Sequence, residues 1–184
     1  MKKIAVLFAD GFEEIEALTV VDVLRRAEFD CQMVGLQTQM TGSHGITVQM
    51  DQVWSPGLPL FDLVVLPGGM PGAKNLRDHD ELMAWVAQTE AQGNLVAAIC
   101  AAPIALERAG LLEDRNYTSY DGFDQEIQAG HYQKETVVQD GRVITSRGPA
   151  SALAFSYALV DALGGDSQDL RKAMLYTDLF EEKM

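Results

Sequence analysis

Along the chain, short unbroken apolar runs alternate with stretches in which apolar residues recur every three or four positions. Ile4 to Ala9 is such a run, the pattern of a strand buried on both faces. From Glu14 the residues Ile15, Leu18, Val21, Val23, Leu24 and Ala27 follow helical spacing, with Arg25 and Arg26 at the negative end of the predicted helix. Cys31 to Leu36 predicts a second strand, and Ile46 to Met50 an edge strand or hairpin arm entered through the turn Gly42 to Gly45.

The alternation continues. Leu63 to Leu66 predicts a buried strand, stopped by PGGMPG at Pro67 to Gly72, which neither a helix nor a strand tolerates in its interior. A helix is predicted around Leu82 to Ala91, a strand over Leu95 to Ile99, and a helix over Ala101 to Ala109 capped by Gly110. From Glu113 to Gln133 the pattern loosens. Thr136 to Gln139 and Arg142 to Thr145 flank Asp140-Gly141, the dipeptide that suits a tight hairpin turn. Ala150 to Leu163 is helical, Gly164-Gly165 stops it, and Ser167 to Tyr176 predicts the last helix. Strand and helix in turn imply a mostly parallel sheet with helices on both faces, and no linker or repeat divides residues 1–184, so a single domain is expected.

Composition narrows the partners. The formal charge of −13 comes from 27 acidic against 14 basic side chains, a field that repels phosphate backbones and anionic lipid and disfavours nucleic acid as a partner. MKKIAVLFADG resembles a signal peptide only at first sight, because the apolar run ends at Ala9 without a small-residue cleavage site. No stretch is long enough to span a membrane, and two cysteines build no disulfide framework, so a cytoplasmic protein with free thiols at Cys31 and Cys100 is expected.

In an open parallel sheet, functional groups gather at the carboxyl ends of the strands. Three stretches arrive there: DGFEEIE after the first strand, PGGMPG after a central one, and ICAAP after the next. Cys100 falls on a strand-to-helix turn that Ala101 and Ala102 are small enough to permit, an arrangement like a nucleophile elbow. Such a turn would expose the thiol at the positive end of the following helix and favour thiolate. The competing reading is a buried structural cysteine, against which the position speaks. The amides of Gly69 and Ala101 could converge above Cys100 as an oxyanion site. Glu13 and Glu14 suit the first helical turn as partners of its dipole, whereas Glu16 could turn inward and donate a hydrogen bond from a protonated carboxyl.

DGFEEIEALTVVDVLRRA, FDLVVLPGGMPGAKNL, VAAICAAP and DGRVITSRGPASALAFS, in this order, resemble the ThiJ/PfpI superfamily over essentially the whole chain. The branch resembled is that of the parkinsonism-associated protein deglycase and its bacterial relatives. This resemblance implies a flavodoxin-like sandwich, usually a homodimer, with a reactive cysteine beside a protonated glutamate. Those roles fall on Cys100 and Glu16, with oxyanion amides at Gly69 and Ala101. It also implies cysteine-dependent, glutathione-independent glyoxalase or deglycase activity on methylglyoxal, glyoxal or their adducts, giving 2-hydroxy acids without a cofactor. The alternative is an oxidative-stress sensor or chaperone acting through oxidation of Cys100.

Where relatives often carry a histidine near the cysteine, this chain has Tyr120 in NYTSYDG, which weakens any cysteine-histidine relay. Ala101 stands where the peptidase branch has histidine, and no His-x-Glu pair follows, so a peptidase or amidotransferase is disfavoured. Tyr120, Arg147 and His44 remain candidate substrate-binding residues, each with a plain surface or ion-pair role as the competing reading. His79 is expected to face solvent at a helix start, and Cys31 to lie in the core. No three His, Cys, Asp or Glu residues show metal-ligand spacing along the chain, so no metal is expected.

Overall fold

Residues Lys3–Phe8 form strand β1, whose side chains from Ile4 to Phe8 are almost completely buried, as a strand covered on both faces requires. The computed structural model describes residues 1–181, so the last three positions of the expected 1–184 unit lie outside the described residues. After β1 come helix α1 (Glu14–Arg26), β2 (Asp30–Gly35), and the short strands β3 (Gln39–Thr41), β4 (Thr47–Gln49) and β5 (Gln52–Val53). The middle of the chain builds β6 (Leu63–Leu66), α2 (Gly72–Arg77), α3 (Asp80–Ala91), β7 (Leu95–Ile99) and α4 (Pro103–Arg108). The remainder holds β8 (Asn116–Tyr117), α5 (Phe123–Glu126), β9 (His131–Tyr132), β10 (Val137–Asp140), β11 (Val143–Ser146), α6 (Ala152–Ala162) and α7 (Gln168–Ala173).

Seven strands make the main sheet, in the order β10-β11-β7-β6-β1-β2-β5, and every pair in it is parallel except β10 with β11. The chain steps one way from β1 to β2 and the other way from β6 to β7. Right-handed crossovers therefore place α1 on one face and α2 with α3 on the other. The packing agrees: α1 lies against α6, while α2, α3 and α4 contact one another. This is an α/β architecture of the flavodoxin-like kind, with a topological switch point between β1 and β6, where the carboxyl ends of the strands leave a crevice.

Several element bounds differ from those the periodicity predicts. Ile46 to Met50 supplies β4 of a separate two-stranded hairpin with β3, and the edge of the main sheet is instead the two-residue β5. Helix α2, which the sequence pattern did not predict, begins at Gly72, the last residue of PGGMPG. The loose region contains the small β8–β9 sheet and the single-turn α5. The helix expected from Ala101 starts at Pro103, with Ala101 and Ala102 as turn residues, because proline's fixed φ suits the first helical position. The last predicted helix breaks after Ala173, and Leu175 adopts φ +60°.

Candidate active site

Three adjacent strands, β7, β6 and β1, deliver the site. Cys100 is the first residue beyond β7, with φ +66°, a left-handed conformation that costs a non-glycine residue about 1–3 kcal/mol. Its backbone is held from two sides: its N–H donates to the Ser146 carbonyl at 3.0 Å, and its carbonyl accepts from the Tyr120 N–H at 2.9 Å. The strained elbow is thus fixed between the end of β11 and the segment after β8.

Beside it runs the loop after β6. Gly69 adopts φ +87°, and a Cβ there would fall 2.3 Å from the Glu13 nitrogen. A Cβ on Gly68 would fall 2.6 Å from both the Cys100 Cβ and the Glu16 Oε2. Only glycine lets this loop pass between the first helix and the cysteine. The backbone N–H groups of Gly69 and Ala101 lie on the side of the Cys100 sulfur, where they favour its thiolate form.

Glu16 comes from the first turn of α1 and is fully buried. Its backbone N–H donates to Oε2 of Glu13, the residue that caps the helix, at 2.8 Å. Its own Oε2 accepts from the Gly68 N–H at 2.9 Å, and its carboxyl lies beside the Cys100 thiol, close enough for each group to shift the titration of the other. Oε1 is buried with no hydrogen-bond partner among the described residues. Burial pushes this carboxyl up to about 7, the Glu13 charge adds to the rise, and the bonds to Cys100 and Gly68 oppose it.

The expectation that the elbow exposes and ionises the cysteine does not hold. Cys100 is only 9% exposed. Burial raises its thiol well above the ordinary range, the charge and hydrogen bond of Glu16 raise it further, and the Gly69 and Ala101 amides offset only part of this. The helix meant to favour thiolate has six residues and starts at Pro103, too short and too far to act strongly. The two buried acids instead behave as one unit. A proton on Glu16 removes the charge that opposes thiolate, and leaves a sulfur facing two amides and a carboxyl donor.

The other candidates separate. Tyr120 touches the elbow through its backbone, while its side chain is half exposed at the mouth of a cleft of about 390 Å³. Asp121, Arg147, Gly148 and Tyr176 line the same cleft, and Arg147 forms an ion pair with Asp121. The ion pair expected as the plain alternative for Arg147 is therefore present, although its Nε is buried without a partner. His79 is half-buried rather than solvent-facing: its Nδ1 accepts from the Leu82 N–H at 3.3 Å, and its ring packs edge-on to Trp54. Cys31 lies in the core, where burial pushes its thiol up to about 12.

His44 reaches neither the cleft nor the sulfur through any hydrogen bond among the described residues; it binds Glu14. The Glu14 Oε1 accepts from the His44 backbone N–H at 2.7 Å, and Oε2 lies 2.9 Å from His44 Nδ1. Glu14 is thus more than a partner of the helix dipole, since it clamps the turn between β3 and β4 onto α1. Together Glu13, Glu14 and His44 form a cluster whose candidate ligand atoms lie within 4.8 Å of one another. Sequence spacing missed it because a distant turn supplies the histidine. Gly68 and Ser146 were likewise overlooked, although PGG before ICAAP and the SRGP motif signalled both segments.

Residues 2–162 match the model of the DJ-1/PfpI family. The chain is 37% identical over 170 residues to protein DJ-1 homolog A of Arabidopsis thaliana, covering 89% of this chain and 43% of that protein, so it spans about two fifths of that relative's length. A glutathione-independent glyoxalase of Caenorhabditis elegans is 31% identical over 156 residues, with 83% of each chain covered. Among solved structures, a cysteine-to-alanine mutant of a DJ-1 superfamily protein from Salmonella typhimurium superposes with a TM-score of 0.90 at 34% identity, covering 95% of this chain and 98% of that one. Four ordered motifs, one sheet order and a match over most of the length lead to the same conclusion: the chain belongs to the DJ-1/PfpI family.

Proposed function

We propose that this protein is a glutathione-independent glyoxalase or deglycase that uses Cys100 as nucleophile on methylglyoxal, glyoxal or their adducts. The observation that carries the reading is the buried pair of Glu16 and Cys100, with the Gly69 and Ala101 amides on the sulfur. The similarity to a relative named as a glutathione-independent glyoxalase supports it.

Glu16 takes the thiol proton, and the thiolate attacks the aldehyde carbon to form a carbon–sulfur bond. The aldehyde oxygen becomes a hydroxyl by taking a proton from Glu16, with the Gly69 and Ala101 amides steadying negative charge as it develops. The Glu16 carboxylate then removes the hydrogen on that carbon as a proton and returns it to the neighbouring carbonyl carbon, while the hydroxyl proton passes to the neighbouring oxygen through the enediol. The result is a thioester of a 2-hydroxy acid. Water cleaves the thioester, releasing the acid and restoring the thiol, so that methylglyoxal plus water gives lactate with no net redox change. With an adduct as substrate, the amine or thiol leaves as well.

The apolar groove between α1 and α6, lined by Ile15, Leu18, Pro149, Ala150, Leu153 and Met174, is the face on which a second copy would pack to give a homodimer. No helix among the described residues is long and apolar enough to cross a membrane.

The deciding experiment is lactate production from methylglyoxal without glutathione, comparing wild type with Cys100→Ser and Glu16→Gln at equal folded concentration. Turnover in the wild type alone is expected. A wild type as inactive as its variants overturns the glyoxalase reading and leaves the oxidation-sensor alternative in first place.

A further inference from the structure

The cleft of about 390 Å³ beside the elbow falls within the size range of small-molecule sites, roughly 300–1,000 Å³, and the steps at Cys100 leave it without a task. Its walls continue the two segments that grip the cysteine. The Tyr120 N–H donates to the Cys100 carbonyl, and Tyr120 with Asp121 borders the cleft on that side. The Ser146 carbonyl accepts from the Cys100 N–H, and Arg147 with Gly148 follows directly on the other. A molecule lying in the cleft therefore begins within one residue of the elbow along both segments.

Arg147 is the cation of this cleft, and the protein supplies it with less than it can bind. Among the described residues its acceptor is Asp121, whose side chain is 70% exposed, so water screens the pair. Its Nε is buried without a partner. A guanidinium serving only as a strut would be saturated inside the protein, since a buried N–H left unpaired is costly. The accessible 29% of the side chain lines the cleft, where a planar carboxylate can take two guanidinium donors at once.

The surroundings are fixed in advance. Ser151 Oγ accepts from the Gly148 N–H at 3.0 Å and lies 2.7 Å from Ser146 Oγ, which donates to the Thr136 carbonyl at 2.7 Å. These bonds pin the turn that carries Arg147. The Tyr120 ring lies so close to Gly148 that a Cβ there would fall 3.2 Å from its Cδ2. Tyr176 borders the cleft with its ring edge-on to Tyr157, centroids 5.1 Å apart. Two placed rings beside a guanidinium suit a short carbon chain that ends in a carboxylate.

We infer that the cleft holds the departing amine or thiol part of an adduct, and that Arg147 selects departing groups bearing a carboxylate, such as amino acids and their N-acyl derivatives. This rests on the reading of Cys100 as the nucleophile on such adducts. Methylglyoxal and glyoxal alone have no group to fill the cleft. The chain's charge of −13 repels anions in general, so a carboxylate here depends on this one cation.

Isothermal titration with N-acetyl-S-(2-hydroxypropyl)cysteine, a thioether that cannot turn over, and with its carboxamide tests the inference on wild type, Arg147→Gln and Asp121→Asn, with circular dichroism as the folding control. The acid should bind wild type more than about tenfold more tightly than the amide, the scale of one hydrogen bond to a charged group. Arg147→Gln should erase that preference. Asp121→Asn removes a competing carboxylate from an exposed position, so the acid should bind more tightly, and this variant carries the test even if Arg147→Gln folds poorly. Equal affinity for acid and amide in wild type overturns the proposal, as does a preference that survives Arg147→Gln or an acid affinity that falls in Asp121→Asn. Sodium lactate that binds through Arg147 while acid and amide stay alike assigns the arginine to the 2-hydroxy acid product and also overturns it. Because the analogue is not turned over, failure of the glyoxalase reading appears in the lactate assay and not in these titrations.

Discussion

The Gly68 amide donates to Oε2 of Glu16 at 2.9 Å, joining the loop after β6 to the helix after β1 across 52 residues of chain. That bond leaves the other carboxyl oxygen of Glu16 buried with no hydrogen-bond partner among the described residues.

The first prediction follows from burial of this carboxyl. A pKa raised from 4.5 to about 7 means that the native state holds the proton more tightly than the unfolded chain. The resulting stabilisation is full below pH 4.5 and is lost as the pH rises through about 7, amounting to roughly 3 kcal/mol. Glu16→Gln cannot lose it. Denaturant unfolding between pH 5 and 8 should therefore show wild-type stability falling relative to the variant. Parallel pH profiles would mean that Glu16 is an ordinary carboxylate.

Replacing the nucleophile or its proton partner should abolish turnover while leaving the fold intact. Cys100→Ser exchanges a thiol for a far weaker nucleophile, and Glu16→Gln removes the group that shuttles the proton, a contribution of about 10²–10⁴-fold in rate. Initial rates of 2-hydroxy acid formation, with circular dichroism as the folding control, measure both losses.

Gly68→Ala should damage stability and activity together. Its Cβ would fall 2.6 Å from two atoms of the pocket, neither of which is the free end of a flexible surface chain. Overpacking of this kind costs about 1–3 kcal/mol. A lowered melting temperature with more than tenfold slower turnover is expected, and an unchanged enzyme would show that the loop after β6 can retreat.

Tyr120→His restores the side chain that relatives often carry near the cysteine. The tyrosine meets the elbow through its backbone, and the acidic side chain beside the thiol belongs to Glu16. Turnover should therefore change by less than about tenfold, with the larger effect on KM, because the ring borders the cleft. A much larger gain in kcat would reveal a histidine relay that this chain lacks.

The strands that frame the site were legible because they are buried on both faces and so appear as pure apolar runs: Leu63 to Leu66 and Leu95 to Ile99 match their elements residue for residue. The hairpin around Asp140-Gly141 was legible from turn chemistry. Burial of the Cys100 thiol was not, because exposure is set by what packs over a residue. Gly68 closes over Cys100 from another strand, and local sequence speaks only for the elbow. The bond between Glu14 and His44 was hidden for the same reason, since it joins a helix to a hairpin turn 30 residues away. Even so, the ordered motifs identified the family from the sequence.

The elbow at Cys100 is gripped by Ser146 from one neighbour and by Tyr120 from the other, while its proton partner arrives from the first helix of the chain. No subset of the chain owns the pocket. Detachment of β11, slippage of the segment after β8, or unfolding of the amino-terminal strand and helix would each dismantle it. The integrity of the pocket is therefore a property of the assembled sheet, and its loss on heating should report the first breach in that sheet rather than the last.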